Sequence, residues 1–166
     1  MMFIGFDNGV TSEGIGVVSN SATYLPTLYK LPIKKELSYT KEAKNISRID
    51  FDELCLVVET ILASSEDKKA IVGLERPMVN SARFNASLSA VRALEATLIV
   101  LEKYKLPYQY IDSKEWQKLL LPKNLKGTDQ LKQASLDIGR RLFPHIKLKK
   151  DADGLLIAEY LKRTYN

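Results

Sequence analysis

Short apolar runs broken by turns fill the first third of the chain. Met2 to Asp7 reads as a buried strand that ends in a carboxylate and turns at once through Asn8-Gly9. Alternation resumes at Ile15-Gly16-Val17-Val18, which predicts a hairpin with an acid near its turn. Residues 2–7, 13–19 and about 22–31 are expected strands, the third at a sheet edge because Pro26 and Pro32 interrupt it. Residues 33–46 are polar and Lys-rich and read as a loop or the start of a helix. Ser47 is the expected N-cap of a helix running to about Ala63, with Ile49, Leu54, Val57, Val58 and Ile61 inward. Ser64 to Lys68 is a turn, and the near-continuous apolar run at 70–75 suits a central strand covered on both faces.

The second half is mostly helical. Residues 77–84 form a loop, followed by a long helix over about 85–104. Its apolar residues lie on more than one side, and its alanines and serines allow close approach, so it is either central in the core or half of a dimer interface. A short strand is expected from Tyr108 to Ile111, then a helix capped by Ser113 through Leu121. Residues 123–127 form a basic loop, Thr128 caps a helix to about Phe143, and Asp151 begins the last one. The pattern is α/β, a mixed sheet of about five strands flanked by helices, in one domain spanning residues 1–166.

Bulk properties narrow the classes little. No apolar run approaches membrane-spanning length, no signal peptide is evident and a cytoplasmic location is expected, with no membrane partner. The single cysteine, Cys55, lies in an apolar run and excludes an internal disulfide framework or a cysteine-based zinc site. Net charge is +5. Positive charge gathers at Lys30–Lys44, Lys103–Lys132 and Arg140–Lys150, which would suit a phosphodiester backbone, although solvated surfaces are also lysine-rich.

The acids are more informative. Asp7 ends the first strand, Glu75 ends the strand at 70–75, and Asp151-Ala152-Asp153 opens the final helix. If these distant segments converge, clustered carboxylates repel one another unless a divalent cation is bound. Two-metal phosphodiester cleavage needs such a cluster, with one ion activating water and the other stabilising the leaving oxygen.

Phe3-Ile4-Gly5-Phe6-Asp7, Ile71-Val72-Gly73-Leu74-Glu75, Ile111 to Lys118, Arg141-Leu142-Phe143-Pro144 and Asp151 to Tyr160 follow one another in an order that resembles the RuvC-type Holliday junction resolvases of the ribonuclease H-like superfamily, most of all their compact phage-borne members. The resemblance covers nearly the whole chain. It implies a ribonuclease H-like fold and a homodimer, here through helix 85–104, that nicks opposed strands of a four-way DNA junction with Mg²⁺ or Mn²⁺, two ions per site. The host cytoplasm would be the setting if the protein is phage-encoded. By position, Asp7, Glu75 and Asp153 match the catalytic acids. The fourth acid of the family commonly stands three residues before the last Asp, where this chain has Lys150; Asp151 is nearest. Two residues along a helix turn about 200°, so Asp151 joins the site only from an irregular helix start; otherwise it is a cap.

Lys132 falls where resolvases carry a lysine facing the phosphate, and Lys118 is a similar case; a solvated helix lysine is the other reading of each. Met78 matches an apolar side chain that pries open the junction centre in some members, with Phe84 close by, or else packs on the domain. Arg76, Asn80, Arg83, Lys123, Asn124 and Lys126 are candidates for backbone contact, which positions DNA without reading sequence. His145, the only histidine, reads as surface or structural. Three other readings stay open: a ribonuclease H-like enzyme on RNA–DNA hybrids or other branched DNA, a junction-binding module with a dead site, and a sugar-kinase-like nucleotide site using the turn Asn8–Gly14.

Overall fold

The computed structural model describes residues 1–10, 14–39, 41, 44–65 and 69–165. Strands β1 (Met2–Phe6), β2 (Ile15–Ser19), β3 (Thr27–Tyr29), β6 (Ala70–Glu75) and β7 (Tyr108–Ile111) form one sheet in the order β3-β2-β1-β6-β7. The expected hairpin is present: β1 runs antiparallel to β2, with Gly5 opposite Gly16. β6 lies parallel to both β1 and β7. The C-terminal ends of these three strands therefore share one edge of the sheet, where ligands of open α/β sheets usually sit.

The pleat sends alternate residues of β1 to opposite faces. Met2, Ile4 and Phe6 pack with Leu54, Val58, Val100 and Leu101 under helices α1 (Phe51–Ala63) and α2 (Phe84–Lys103). Phe3 faces the other way, into a cluster with Ile111, Trp116, Leu155 and Ile157. That second layer is made by α3 (Ser113–Leu120), α4 (Gly127–Leu142) and α5 (Asp153–Thr164).

Several expectations are corrected here. Residues 33–37 and 45–46 are neither loop nor helix start: they belong to β4 (Ile33–Leu37) and β5 (Asn45–Ile49), which pair antiparallel as a separate two-stranded sheet, while residues 40, 42 and 43 lie outside the described residues. The pattern was hidden because β4 is half-exposed, with Ile33 and Leu37 on its exposed positions and Lys34 and Glu36 on the more covered ones. Ser47 lies inside β5, and α1 is capped by the Asp50 side chain, which accepts from the Glu53 N–H. Ile49 is buried, but from the strand. Asp112, not Ser113, caps α3, in a reciprocal capping box with Glu115. Helix α4 starts at Gly127 with no side-chain cap, so Thr128 is already helical. The third strand shrinks to Thr27–Tyr29, at the edge as its prolines demand. By length and composition Ser81–Lys103 is apolar enough to cross a membrane, contrary to the expectation that no run approaches that length. In this fold it buries Ala93, Thr97, Val100 and Leu101 against the domain. Glu13 of the second expected strand, part of the turn Asn8–Gly14, and residues 66–68 of the turn after α1 lie outside the described residues.

Candidate metal centre

Backbone register brings the first two acids together. Phe6 pairs with Leu74 across β1 and β6, so Asp7 and Glu75 are the next residues on two neighbouring parallel strands. The turn after β1 is held by Asp7 itself: its Oδ1 accepts from the Gly9 N–H at 3.0 Å, and its own N–H donates to the Gly14 carbonyl at 3.1 Å.

The second pair arrives through α5. Its first turn lies directly on β1 and β2, an approach that only missing side chains permit. A Cβ on Gly16 would stand 2.3 Å from the Leu155 nitrogen, and one on Gly5 would stand 2.1 Å from the Gly154 carbonyl oxygen. Glycine at these positions lets helix and sheet backbones meet. Asp153 is the first residue of α5, in the turn where a negative charge is favoured by the helix dipole. Asp151 precedes the helix, and the cap position is Ala152, without a side-chain cap bond. The expectation that Asp151 begins the helix is thus corrected, and the 200° objection disappears.

Asp7, Asp151 and Asp153 each bring one carboxylate oxygen within 4.8 Å of the others. Glu75 stands outside this tightest group, yet its charge bears on Asp7. Trp116 Nε1–H donates to Glu75 Oε1 at 2.9 Å. Ser135 on α4 donates its hydroxyl to Asp153 Oδ1 and accepts from the Ala152 N–H at 3.3 Å. Neither Trp116 nor Ser135 was singled out as a support for the acids. Each left one trace in the sequence: Ser135 is a polar residue at a core phase of an amphipathic helix, and Trp116 carries a polar handle on an otherwise apolar ring.

The electrostatics reflect this crowding. Burial, then the charges of Glu75 and Asp153, lift Asp7 from its ordinary 3.8 to about 8. Burial lifts Glu75 to about 7 against the opposing Trp116 hydrogen bond, with further increments from Asp153, Asp112 and Asp151. Asp153 rises to about 6, chiefly through burial, opposed by the Ser135 bond and raised by Asp151; the Lys132 charge pulls it back down. Hard oxygen donors that repel one another in a desolvated pocket are the donor set a Mg²⁺ or Mn²⁺ ion prefers. The residues fit such a cation.

Around this centre the remaining candidates divide. Lys132 is exposed on α4 but close enough to act on Asp153. Lys118 and Lys123 line one cleft of about 410 Å³ between α3 and α4, together with Lys114 and Asn124. Arg76 is exposed, with its guanidinium carbon 5.7 Å from the Tyr110 ring centroid. Met78 is 79% exposed and Phe84 67%, so neither packs on the domain. Asn80 is committed locally: its side chain accepts from the Ala82 N–H and caps the 3₁₀ turn Ser81–Arg83. Arg83 and Lys126 are exposed, the latter at the cap position of α4. His145 holds the Pro26 carbonyl at 3.0 Å, a structural tie as expected.

Neither a protein-family model nor a curated protein sequence matches the chain. Solved structures do. The structure of T. thermophilus RuvC in complex with Holliday junction substrate is similar at a TM-score of 0.59 and 15% identity, over 98% of this chain and 93% of that one. Thermus thermophilus RuvC is similar at 0.54 and 16% identity, over 98% and 96%. The five-stranded mixed sheet with its flanking helices is the ribonuclease H-like fold, in its RuvC form.

Proposed function

We propose that this chain is a divalent-metal-dependent endonuclease that cuts four-way DNA junctions by paired nicks. The observation that carries the reading is the convergence of Asp7, Asp151 and Asp153, with Glu75 beside them, at the strand ends of a RuvC-type sheet. One of the similar RuvC structures is bound to a Holliday junction, which supports junction DNA as the substrate.

Asp7, Asp151, Asp153 and Glu75 would hold Mg²⁺ or Mn²⁺, probed as two ions per site. Such ions, when bound, supply a nucleophilic water and stabilise charge on the leaving oxygen. The chain's own groups do the positioning. Trp116 fixes the Glu75 carboxylate and Ser135 fixes Asp153, so that each acid meets the cation without first reorganising. Lys132 adds positive charge beside Asp153, where a scissile phosphate would bring its own negative charge. The cleft of Lys118 and Lys123, with Arg76, Arg83 and Lys126, would hold the phosphate backbone. Met78 and Phe84, exposed on the segment after β6, suit insertion between bases at the junction centre. Exposed Phe84, Val91 and Ile99 along α2 support a homodimer through that helix.

Cleavage of a labelled immobile four-way junction, beside duplex, flap and RNA–DNA hybrid, tests the reading. Symmetric nicks on the junction, abolished by chelator, are expected. Preferential cutting of hybrid or flap would reassign the substrate, and binding without cutting under either metal would make the chain a binding module.

A further inference from the structure

The β4–β5 hairpin lies along α2, and the seam between them is open. One stretch of about 490 Å³ runs from Lys41 and Lys44 at the hairpin end to the first turns of α2. A narrower stretch of about 190 Å³ continues between Ser47 on β5, Val10 and the middle of α2. Arg92 lines both. Its Nη1 is buried and has no hydrogen-bond partner among the described residues. The neighbouring Arg48 already pairs with Glu36. Glu95, the acid on this wall, is exposed, and among the described residues no ion pair joins it to Arg92.

A desolvated guanidinium nitrogen with no acceptor destabilises the free protein, because it has lost water and gained nothing in return. An anion entering the groove would reverse that. The planar fork of arginine matches phosphate oxygens, and the lysines at the mouth extend the same sign outward. The groove also points the right way. Its inner end is lined by Val10, on the turn that follows Asp7, and Asn8 Oδ1 accepts from the Thr97 hydroxyl of α2 at 3.1 Å. The hairpin, α2 and the acidic centre are therefore joined through one short segment.

We infer that the groove between the β4–β5 hairpin and α2 binds the phosphodiester backbone of a nucleic-acid strand on its way out from the acidic centre, with Arg92 holding one phosphate. The identity of the polyanion rests on the nuclease reading; the groove and the unpartnered Nη1 of Arg92 do not.

The test is binding of a fluorescent four-way junction in chelator, across a salt series, by the full chain and by Arg92→Leu and Lys41→Glu. Arg92→Leu is expected to weaken binding about tenfold near 0.1 M salt and to lower the salt slope by about one. The same change should raise the melting temperature of the free protein by about 2 to 4 °C, since a buried guanidinium nitrogen without a hydrogen-bond acceptor is removed. Lys41→Glu should weaken binding several-fold. Normal binding and slope in both variants would overturn the inference while leaving the nuclease reading intact. Failure of the unaltered chain to bind any DNA would overturn both. A lower melting temperature in Arg92→Leu, with Lys41→Glu unaffected, would make Arg92 a structural residue and overturn the groove. Conversion of a dimer to a monomer by Arg92→Leu, read by light scattering, would give the groove to a second copy of the chain instead.

Discussion

The acidic centre and the basic rim around it carry opposite charges and are built by opposite means. Each acid is placed by backbone. Asp7 and Glu75 follow paired residues of neighbouring strands, and Asp153 opens a helix seated on Gly5 and Gly16. Side-chain and turn hydrogen bonds from Trp116, Ser135 and Gly9 then fix their orientation. The rim is made of exposed side chains on long stems: Arg76, Arg83, Lys118, Lys123, Lys126 and Lys132. The difference follows from what each region would hold. A small hard cation demands ligands fixed to fractions of an ångström, whereas a phosphate backbone needs positive potential and tolerates pliable donors. Fixing the acids has an energetic penalty that the rim does not share: their burial and mutual repulsion oppose ionisation.

If that contrast is right, disturbing the centre has large effects and disturbing the rim has small ones. Asp151→Asn is the largest: junction cleavage should fall by more than about a hundredfold, with the melting temperature in chelator not lowered, because the change removes one charge from a group of mutually repelling acids. Near-normal cleavage would return Asp151 to a passive role. Ser135→Ala comes next. It leaves all four acids in place but frees Asp153, and the half-saturating Mn²⁺ concentration should rise about 10- to 100-fold. An unchanged metal dependence would mean that the hydrogen bond serves packing alone.

The third effect is on stability in chelator. Asp7, Glu75 and Asp153 have folded values near 8, 7 and 6 against ordinary values of 3.8, 4.5 and 3.8, so the folded chain holds protons that the unfolded chain has released. The unfolded state binds fewer protons through this range, and stability must fall as pH rises from about 4 to about 8. Thermal melts should show that decline, and added Mn²⁺ should remove much of it; a melting temperature flat across this range contradicts the crowding. Lys126→Gln is the smallest. Junction affinity should drop a few-fold, equally for all sequences, with a salt slope lower by about one; an unchanged slope takes Lys126 off the DNA path.

The centre was legible in the sequence for the same reason that it is rigid. A carboxylate at the end of an apolar strand is a local pattern, and parallel pairing turns two such patterns into neighbours. The sheet and most helix positions followed from periodicity. Three things did not. Strands β4 and β5 are half-exposed and mix apolar residues with charged and polar ones, so they lack the run of buried apolar residues that marks β1 or β6. The start of α5 reads two residues early in the sequence, because Asp151 is a good cap residue by type, whereas the cap position is Ala152 and the first turn is set by the packing of Gly154 on the sheet. Trp116 and Ser135 act on acids far away in sequence, and no local pattern marks a donor whose acceptor comes from another element. The groove at Arg92 was invisible for the first reason: without the hairpin there is no groove.

The central claim is that Asp7, Asp151 and Asp153 form one site for a divalent cation. Calorimetric titration of the chelated, dialysed chain with Mn²⁺ at pH 7, in buffers of different ionisation enthalpy, tests it most directly. The account predicts saturable binding that releases protons, because Asp7 is largely protonated at that pH, and loss of both binding and proton release in Asp7→Asn. Saturable binding that persists unchanged in Asp7→Asn, or no binding by the unaltered chain, would contradict it.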